Sequence, residues 1–246
     1  MCITLPLGGN LMRKATIVFA LVAIFATSAI HAAPINYGDF IGAGVGEADF
    51  LNVTEDSATD LTPLFESPLF SPNGLSFAPV AFASSTAGAA TDSTIATLTM
   101  TIRADAGFQI GRIIIDETAD ATLAGVGTAA TFASIGTAVE VEDLVPGLGG
   151  VINDNVVFGP GDYFELPPAI FVDIDGALVI DLTGLGVSQA RLTLTHSLNT
   201  GSEMGTTSFI QSKTFGIDVE SATIPEPSAI ALLGVGALGL LRRRVR

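Results

Sequence analysis

Apolar and polar residues alternate with period two along residues 96–103, and this pattern constrains the fold of the 246-residue chain more than any other. Ala96, Leu98, Met100 and Ile102 fall on one side, Thr97, Thr99, Thr101 and Arg103 on the other. A half-buried strand is the expected result. Residues 189–198 repeat the pattern, with Ala190, Leu192 and Leu194 opposed to Arg191, Thr193 and Thr195. Shorter alternations set Val139 and Val141 against Glu140 and Glu142, and Phe215, Ile217 and Val219 against Gly216, Asp218 and Glu220. Between Phe108 and Ile115 the apolar parity shifts at Gly111, which predicts a β-bulge. Asp175-Gly176 separates two apolar runs and predicts a hairpin with a type I′ turn, pairing Ile174 with Ala177 and Val172 with Val179. Residues 119–138 are punctuated by Gly125, Gly127 and Gly136 and read as loop or edge structure, and residues 63–79 and 81–93 as long connections or irregular edges. The sum is an all-β domain, an antiparallel β-sandwich of immunoglobulin-like or jelly-roll type. The chain shows no repeat of fixed period, which argues against a solenoid or propeller.

Both ends read as addresses. Met12-Arg13-Lys14, an apolar run over residues 15–30 and the small residues Ala32 and Ala33 form a secretory signal peptide, residues 1–32, with cleavage between Ala32 and Ala33 and a second candidate start at Met12. At the other end Pro225-Glu226-Pro227 precedes an apolar run over residues 228–241 and then Arg242, Arg243, Arg244 and Arg246. Those 14 apolar residues make about 21 Å of helix, short of the ~30 Å hydrocarbon core. Adding residues 223–227 brings the segment to spanning length, with the prolines in its first turn. Gly234, Gly236 and Gly239 would weaken a soluble helix by roughly 1 kcal/mol each, whereas small residues are common in membrane helices. Retention of positive charge orients Arg242, Arg243, Arg244 and Arg246 to the cytoplasmic side and Pro225, Glu226 and Pro227 to the outer surface. The tail has no LPxTG sequence, and a GPI signal would lack the basic end. The order of motif, apolar stretch and basic cluster resembles the PEP-CTERM sorting signal. That resemblance implies a transient inner-membrane anchor, an exosortase-like processing enzyme as partner, and delivery to the cell surface or an extracellular polysaccharide matrix.

Residues 33–222 remain as the exported domain, and residues 223–246 as the sorting segment. Setting aside Arg13, Lys14, Glu226 and the four terminal arginines leaves 24 acidic residues against Arg103, Arg112, Arg191 and Lys213. The domain's net charge of −20 is hidden in the −15 of the whole chain. Such a body repels nucleic acid and anionic membrane surfaces and stays soluble. Cys2 precedes the signal peptide's apolar run, so the exported domain has no disulfide, thiol nucleophile or thiolate metal site.

Its single histidine, His196, shares the parity of Leu192 and Leu194. As a catalytic base it lacks a G-x-S-x-G partner; the plainer expectation is a strand-end histidine bonded to backbone or half exposed. Asp116 with Glu117, Glu140 with Glu142, and Asp173 with Asp175 are nominal carboxylate pairs for glycoside hydrolysis, but the chain has no Trp to stack a sugar and only Tyr37 and Tyr163 in its place. Calcium is the more plausible ligand, with candidate oxygen ligands at residues 173–176 and, on expected loops, at Asn153-Asp154-Asn155 and Gly159-Pro160-Gly161-Asp162, yet the first lacks the rest of an EF-hand. Gly42, Gly44 and Gly46 lack the helix and lysine of a phosphate cradle and read as flexible N-terminal chain. The expectation is therefore an exported, non-enzymatic surface or matrix protein with no cofactor and no metal residue. The alternatives are a calcium-dependent or carbohydrate-binding adhesion module and, behind it, a carboxylate glycosidase.

Overall fold

The computed structural model describes residues 33–145 and 150–224. In chain order the strands are β1 (Ile35–Phe40), β2 (Ala48–Ser57), β3 (Leu69–Ser71), β4 (Gly74–Phe77), β5 (Ala83–Ala87), β6 (Ala90–Ala104), β7 (Phe108–Gly125), β8 (Phe132–Asp143), β9 (Val151–Asn155), β10 (Val157–Phe158), β11 (Tyr163–Glu165), β12 (Ile170–Asp181), β13 (Gln189–Ser202) and β14 (Thr206–Thr223). They form two antiparallel sheets. The first runs β1-β2-β6-β13-β8-β11, with β9 also on β8; the second runs β10-β12-β7-β14-β4-β3, with β5 also on β14.

The alternating sequences explain this arrangement. Ala96, Leu98, Met100 and Ile102 of β6, Ala190, Leu192 and Leu194 of β13, and Val139 and Val141 of β8 are all buried. They meet Ile113 and Ile115 of β7 and Phe215, Ile217 and Val219 of β14 in one core between the sheets. The threonine faces of β6 and β13 point outward and stay part-exposed. Gly111 is the bulged residue, because β14 pairs Glu220 with Arg112 and the next residue, Ser221, with Ile110. Its carbonyl instead accepts the Leu182 N–H at 2.8 Å.

Five expectations are corrected. Asp175-Gly176 makes no hairpin: β12 continues straight through it, with Asp175 opposite Thr118 and Gly176 opposite Glu117. A Cβ on Gly176 would stand 2.6 Å from the Phe158 ring and 2.7 Å from Val156, so this glycine makes room for two side chains. Residues 119–138 are mostly strand, because Ala119, Ala121 and Leu123 prolong the inward face of β7, with β8 resuming at Phe132. The stretch from Pro63 to Pro79 carries the short strands β3 and β4 and buries Leu64, Phe65, Leu75 and Phe77, and residues 81–93 carry β5 and the start of β6. Asn153-Asp154-Asn155 belongs to β9, an edge strand paired with residues 138–140. The N-terminal glycines form an ordered β1–β2 turn, in which Ala43 and Gly44 N–H groups donate to Glu47 Oε2 at 2.7 and 2.8 Å.

Candidate functional site

Two polar constellations stand out from the apolar framework, one sealed in the core and one open to solvent. The sealed one joins the sheets. His196 of β13 lies beside Thr137 of β8 in the ladder, and Glu117 of β7 reaches them across the core. Both Glu117 and His196 side chains are fully buried. Thr137 Oγ1 donates to Glu117 Oε2 at 2.8 Å, and the same oxygen lies 2.7 Å from His196 Nδ1. With its one hydrogen committed to Glu117, the hydroxyl accepts from Nδ1–H. His196 Nε2 then faces Glu117 Oε1 at 3.1 Å, off the line of a straight hydrogen bond, and neither atom has another partner. Burial raises the Glu117 carboxyl and lowers the His196 imidazole, so the neutral pair wins over the ion pair that the distance alone would imply. Phe82 abuts the imidazole edge-on at 4.5 Å between centroids, and Phe65 and Phe215 close the shell at 6.2 and 6.3 Å. A base walled in by phenylalanines has no room for substrate. The expected strand-end position of His196 is corrected: it is a mid-strand core residue bonded to the Thr137 side chain.

Glu117 was legible by parity, since Ile113, Ile115, Glu117, Ala119, Ala121 and Leu123 continue one inward face. Its pairing with Asp116 fails for the same reason, because Asp116 points to solvent. Asp173 and Asp175 do share the outer face of β12, where Asp173 opposes Asp120. Among the described residues no group of three or more His, Cys, Asp and Glu side chains is placed to hold a metal ion.

The open constellation is the outer face of the first sheet. Thr99 and Thr97 of β6 oppose Thr193 and Thr195 of β13, and the Thr97 and Thr195 hydroxyls are 3.4 Å apart. Toward β9, Glu140, Asn153, Asp154, Asn155, Thr193 and Thr195 line a groove of about 250 Å³. Glu142 is held by Arg191 at 2.6 Å, which separates it from Glu140 in role. Further along, Ser93 Oγ donates to Asn199 Oδ1 at 2.7 Å and the Asn199 amide donates to Ser134 Oγ at 3.4 Å. The row ends at Tyr163, 52% exposed, whose ring stacks on Phe132 at 5.5 Å and 19°. Phe132 can lie flat there because a Cβ on Gly201 would collide with its ring. From Ser134 to Glu142 the row measures about 26 Å at ~3.3 Å per residue. Glu140, Asn153 and Tyr163 were visible in the sequence, but their alignment on one face depends on edge pairings that no local pattern encodes.

Of the expected address residues, Ala33 is the first one described, and its carbonyl accepts the Thr62 hydroxyl at 3.0 Å. Ala32, Pro225, Glu226, Pro227, Arg242, Arg243, Arg244 and Arg246 lie outside the described residues, as do the signal peptide and the expected tail helix. No helix among the described residues is long and apolar enough to cross a membrane.

The fold and its ends define an all-β body of two antiparallel sheets followed at once by an addressed tail. Residues 223–245 match the PEP-CTERM protein-sorting motif, so the tail carries a protein-sorting signal. No curated protein matches the chain. Among solved structures, the enzymatically active domain of tailspike protein 4 from bacteriophage CBA120 is 14% identical, over 78% of this chain and 19% of that one, with a TM-score of 0.21. TmCBM61 in complex with β-1,4-galactotriose is 12% identical, over 66% of this chain and 95% of that one, with a TM-score of 0.23. Neither superposition is close enough to define a shared fold.

Proposed function

We propose that this chain is an exported, non-enzymatic component of the cell surface or of an extracellular polysaccharide matrix, delivered through its C-terminal signal and cut there by an exosortase-like enzyme. One observation carries the reading: β14 ends at Thr223, the residue at which the sorting motif begins. Among the described residues the last core side chain is Val219, four residues before the address begins. The N-terminal side matches, since β1 starts at Ile35, two residues after the expected cleavage before Ala33. In this scheme residues 1–32 are removed on export, residues 223–246 anchor the precursor in the inner membrane, and the terminal arginines hold its orientation. The test is the intact mass of the mature protein from a producing cell. A product spanning Ala33 to Pro225–Pro227 is expected; one that keeps Arg242 and Arg246 would sink the processing step.

A second reading, a carbohydrate-binding adhesion module, is favoured by the exposed Tyr163 ring at the end of a row of hydroxyls, amides and the two carboxylates Glu140 and Asp154, about 26 Å long at ~3.3 Å per residue. Sugars present apolar ring faces to aromatic rings and hydroxyls to such groups. With Arg191 already engaged, the row offers an anionic polymer no free cation, so the fitting ligand is a neutral glycan. Mobility in gels cast with neutral polysaccharide should be retarded, lost in Tyr163→Ala and kept in Tyr163→Phe. Unretarded wild-type protein in every such gel would remove the reading.

A further inference from the structure

The junction between the last strand and the sorting signal is unusually tight. Ser221, Ala222 and Thr223 pair with Ile110, Gln109 and Phe108 of β7, and the Ile224 N–H donates to the Gly107 carbonyl at 3.0 Å. Pro225 therefore follows directly on a residue still bonded to the body. Residues 221–224 are therefore strand and strand end, not a free tether. Enzymes that cut peptides bind them as extended strands, through the same backbone groups that a sheet uses. Those groups are occupied here.

We propose that the sorting enzyme cuts only after residues 221–224 have peeled from β7, with the Gly111 bulge marking where the opening stops. This rests on the sorting reading above. The bulge breaks the ladder between Glu220 and Ser221, which isolates a short terminal segment from the rest of β14. On the near side the strand is held, because Val219 is buried, its N–H donates to the Asn73 carbonyl at 2.8 Å, and Glu220 meets Arg112 at 3.3 Å. On the far side the hold is weaker: Ser221 Oγ is buried without a partner, and Thr223 is exposed. The moving side is β14, because the Gly111 carbonyl of β7 is tied to Leu182 N–H at 2.8 Å and Thr183 Oγ1 at 3.3 Å. Release of four residues gives about 13 Å of extended chain at ~3.3 Å per residue, enough to enter an active site that the body itself could not approach.

The test locks the strand end. Gln109 and Ala222 are direct partners, and antiparallel partners lie within disulfide reach. The full-length Gln109→Cys/Ala222→Cys chain, expressed in a producing cell, should accumulate with its tail attached when oxidised and lose the tail when a reductant is added. An Ile114→Cys/Asp218→Cys chain, crosslinked on the near side of the bulge, should be processed like wild type. A Gly/Ser linker inserted between Ile224 and Pro225 should restore processing of the oxidised Gln109→Cys/Ala222→Cys chain, which a misfolded body could not do. Wild-type processing of that oxidised chain without the linker, or failure of the linker to rescue it, overturns the proposal. A wild-type chain that keeps its own tail overturns the sorting reading, and this proposal with it.

Discussion

Glu117 and His196 hold a single proton between them in a site that water does not reach, and that fixes a pH signature. Desolvation raises Glu117 from 4.5 to about 8, opposed in part by the Thr137 hydrogen bond, and lowers His196 from 6.5 to about 3. The folded pair thus keeps one proton across that whole range. The unfolded chain holds two below 4.5, one between 4.5 and 6.5, and none above. Since stability rises with pH wherever the unfolded state binds more protons, the pair's contribution climbs from about 3 to 4.5, is level to 6.5 and falls towards 8. Glu117→Gln isolates the carboxyl, because the amide can still accept from Thr137 and donate to Nε2. Relative to wild type this variant should gain stability as pH rises from 4.5 to 8, by at most ~1.4 kcal/mol per pH unit, as measured by urea unfolding. A difference that stays flat with pH would show that the carboxyl is ionised in the fold.

Among the elements, β1 and the loop that follows β2 depend on one buried acid. Glu55 of β2 is 1% exposed and accepts from the Leu64 N–H at 2.5 Å, the Phe65 N–H at 3.2 Å and the Tyr37 hydroxyl at 2.5 Å. It fastens edge strand β1 and seats Phe65 against Phe82 and Phe215. Glu55→Ala leaves two buried N–H groups without acceptors, at roughly 1–3 kcal/mol each. Faster amide exchange should appear in β1 and at Leu64 and Phe65 together; exchange in one alone would mean that the two segments are held independently. Nothing in the sequence announces this acid, because Glu55 sits among other acidic and polar residues. The long strands were legible where one face is clearly apolar and the other threonine-rich, as in β6 and β13, and the Gly111 bulge was legible because a parity slip is a local event. The end of β7 was not, because alternation of Ala and Thr gives little contrast and the glycines beyond it resemble turn signals. Asp175-Gly176 misleads for a different physical reason: the small residue there is demanded by Phe158 and Val156 packing onto it, and no short-range pattern records such a contact. The same holds for the site. Glu140 and Asn153 stand out as polar residues, but β8–β9 pairing brings them together, and the ring of Glu117, Thr137 and His196 spans 79 residues of chain.

For the whole molecule, charge is the dominant long-range term. All four cations of the exported domain are already engaged: Arg103 with Asp49 at 2.6 Å, Arg191 with Glu142 at 2.6 Å, Lys213 with Asp120 at 3.0 Å and Arg112 with Glu220 at 3.3 Å. These pairs are largely on the surface and contribute about 0–1 kcal/mol apiece. Arg112 also lies 4.0 Å from Asp181, so nineteen of the 24 acidic groups have no cation in the domain to meet them. On the outer face of the second sheet some are close enough to matter, and the Asp218 carboxyl is held above its ordinary range by burial first and by neighbouring Asp116 second. Salt therefore acts on two opposed terms. It weakens the exposed pairs, and it screens the mutual repulsion of the unpaired acids, which extends over about 30 Å at 0.01 M salt and about 10 Å at 0.1 M. The second term involves far more charge and should win. The melting temperature of a chain of residues 33–222 at pH 7 should rise as sodium chloride goes from about 0.01 M to about 0.1 M, the range over which that screening distance shrinks threefold. Calcium at equal ionic strength separates screening from a specific site: simple screening leaves the two salts equivalent, whereas a site adds a further rise that depends on calcium concentration and reverses with chelator. A melting temperature that falls with sodium chloride would mean that the ion pairs outweigh the repulsion, and that the acidic surface is neutralised in some other way.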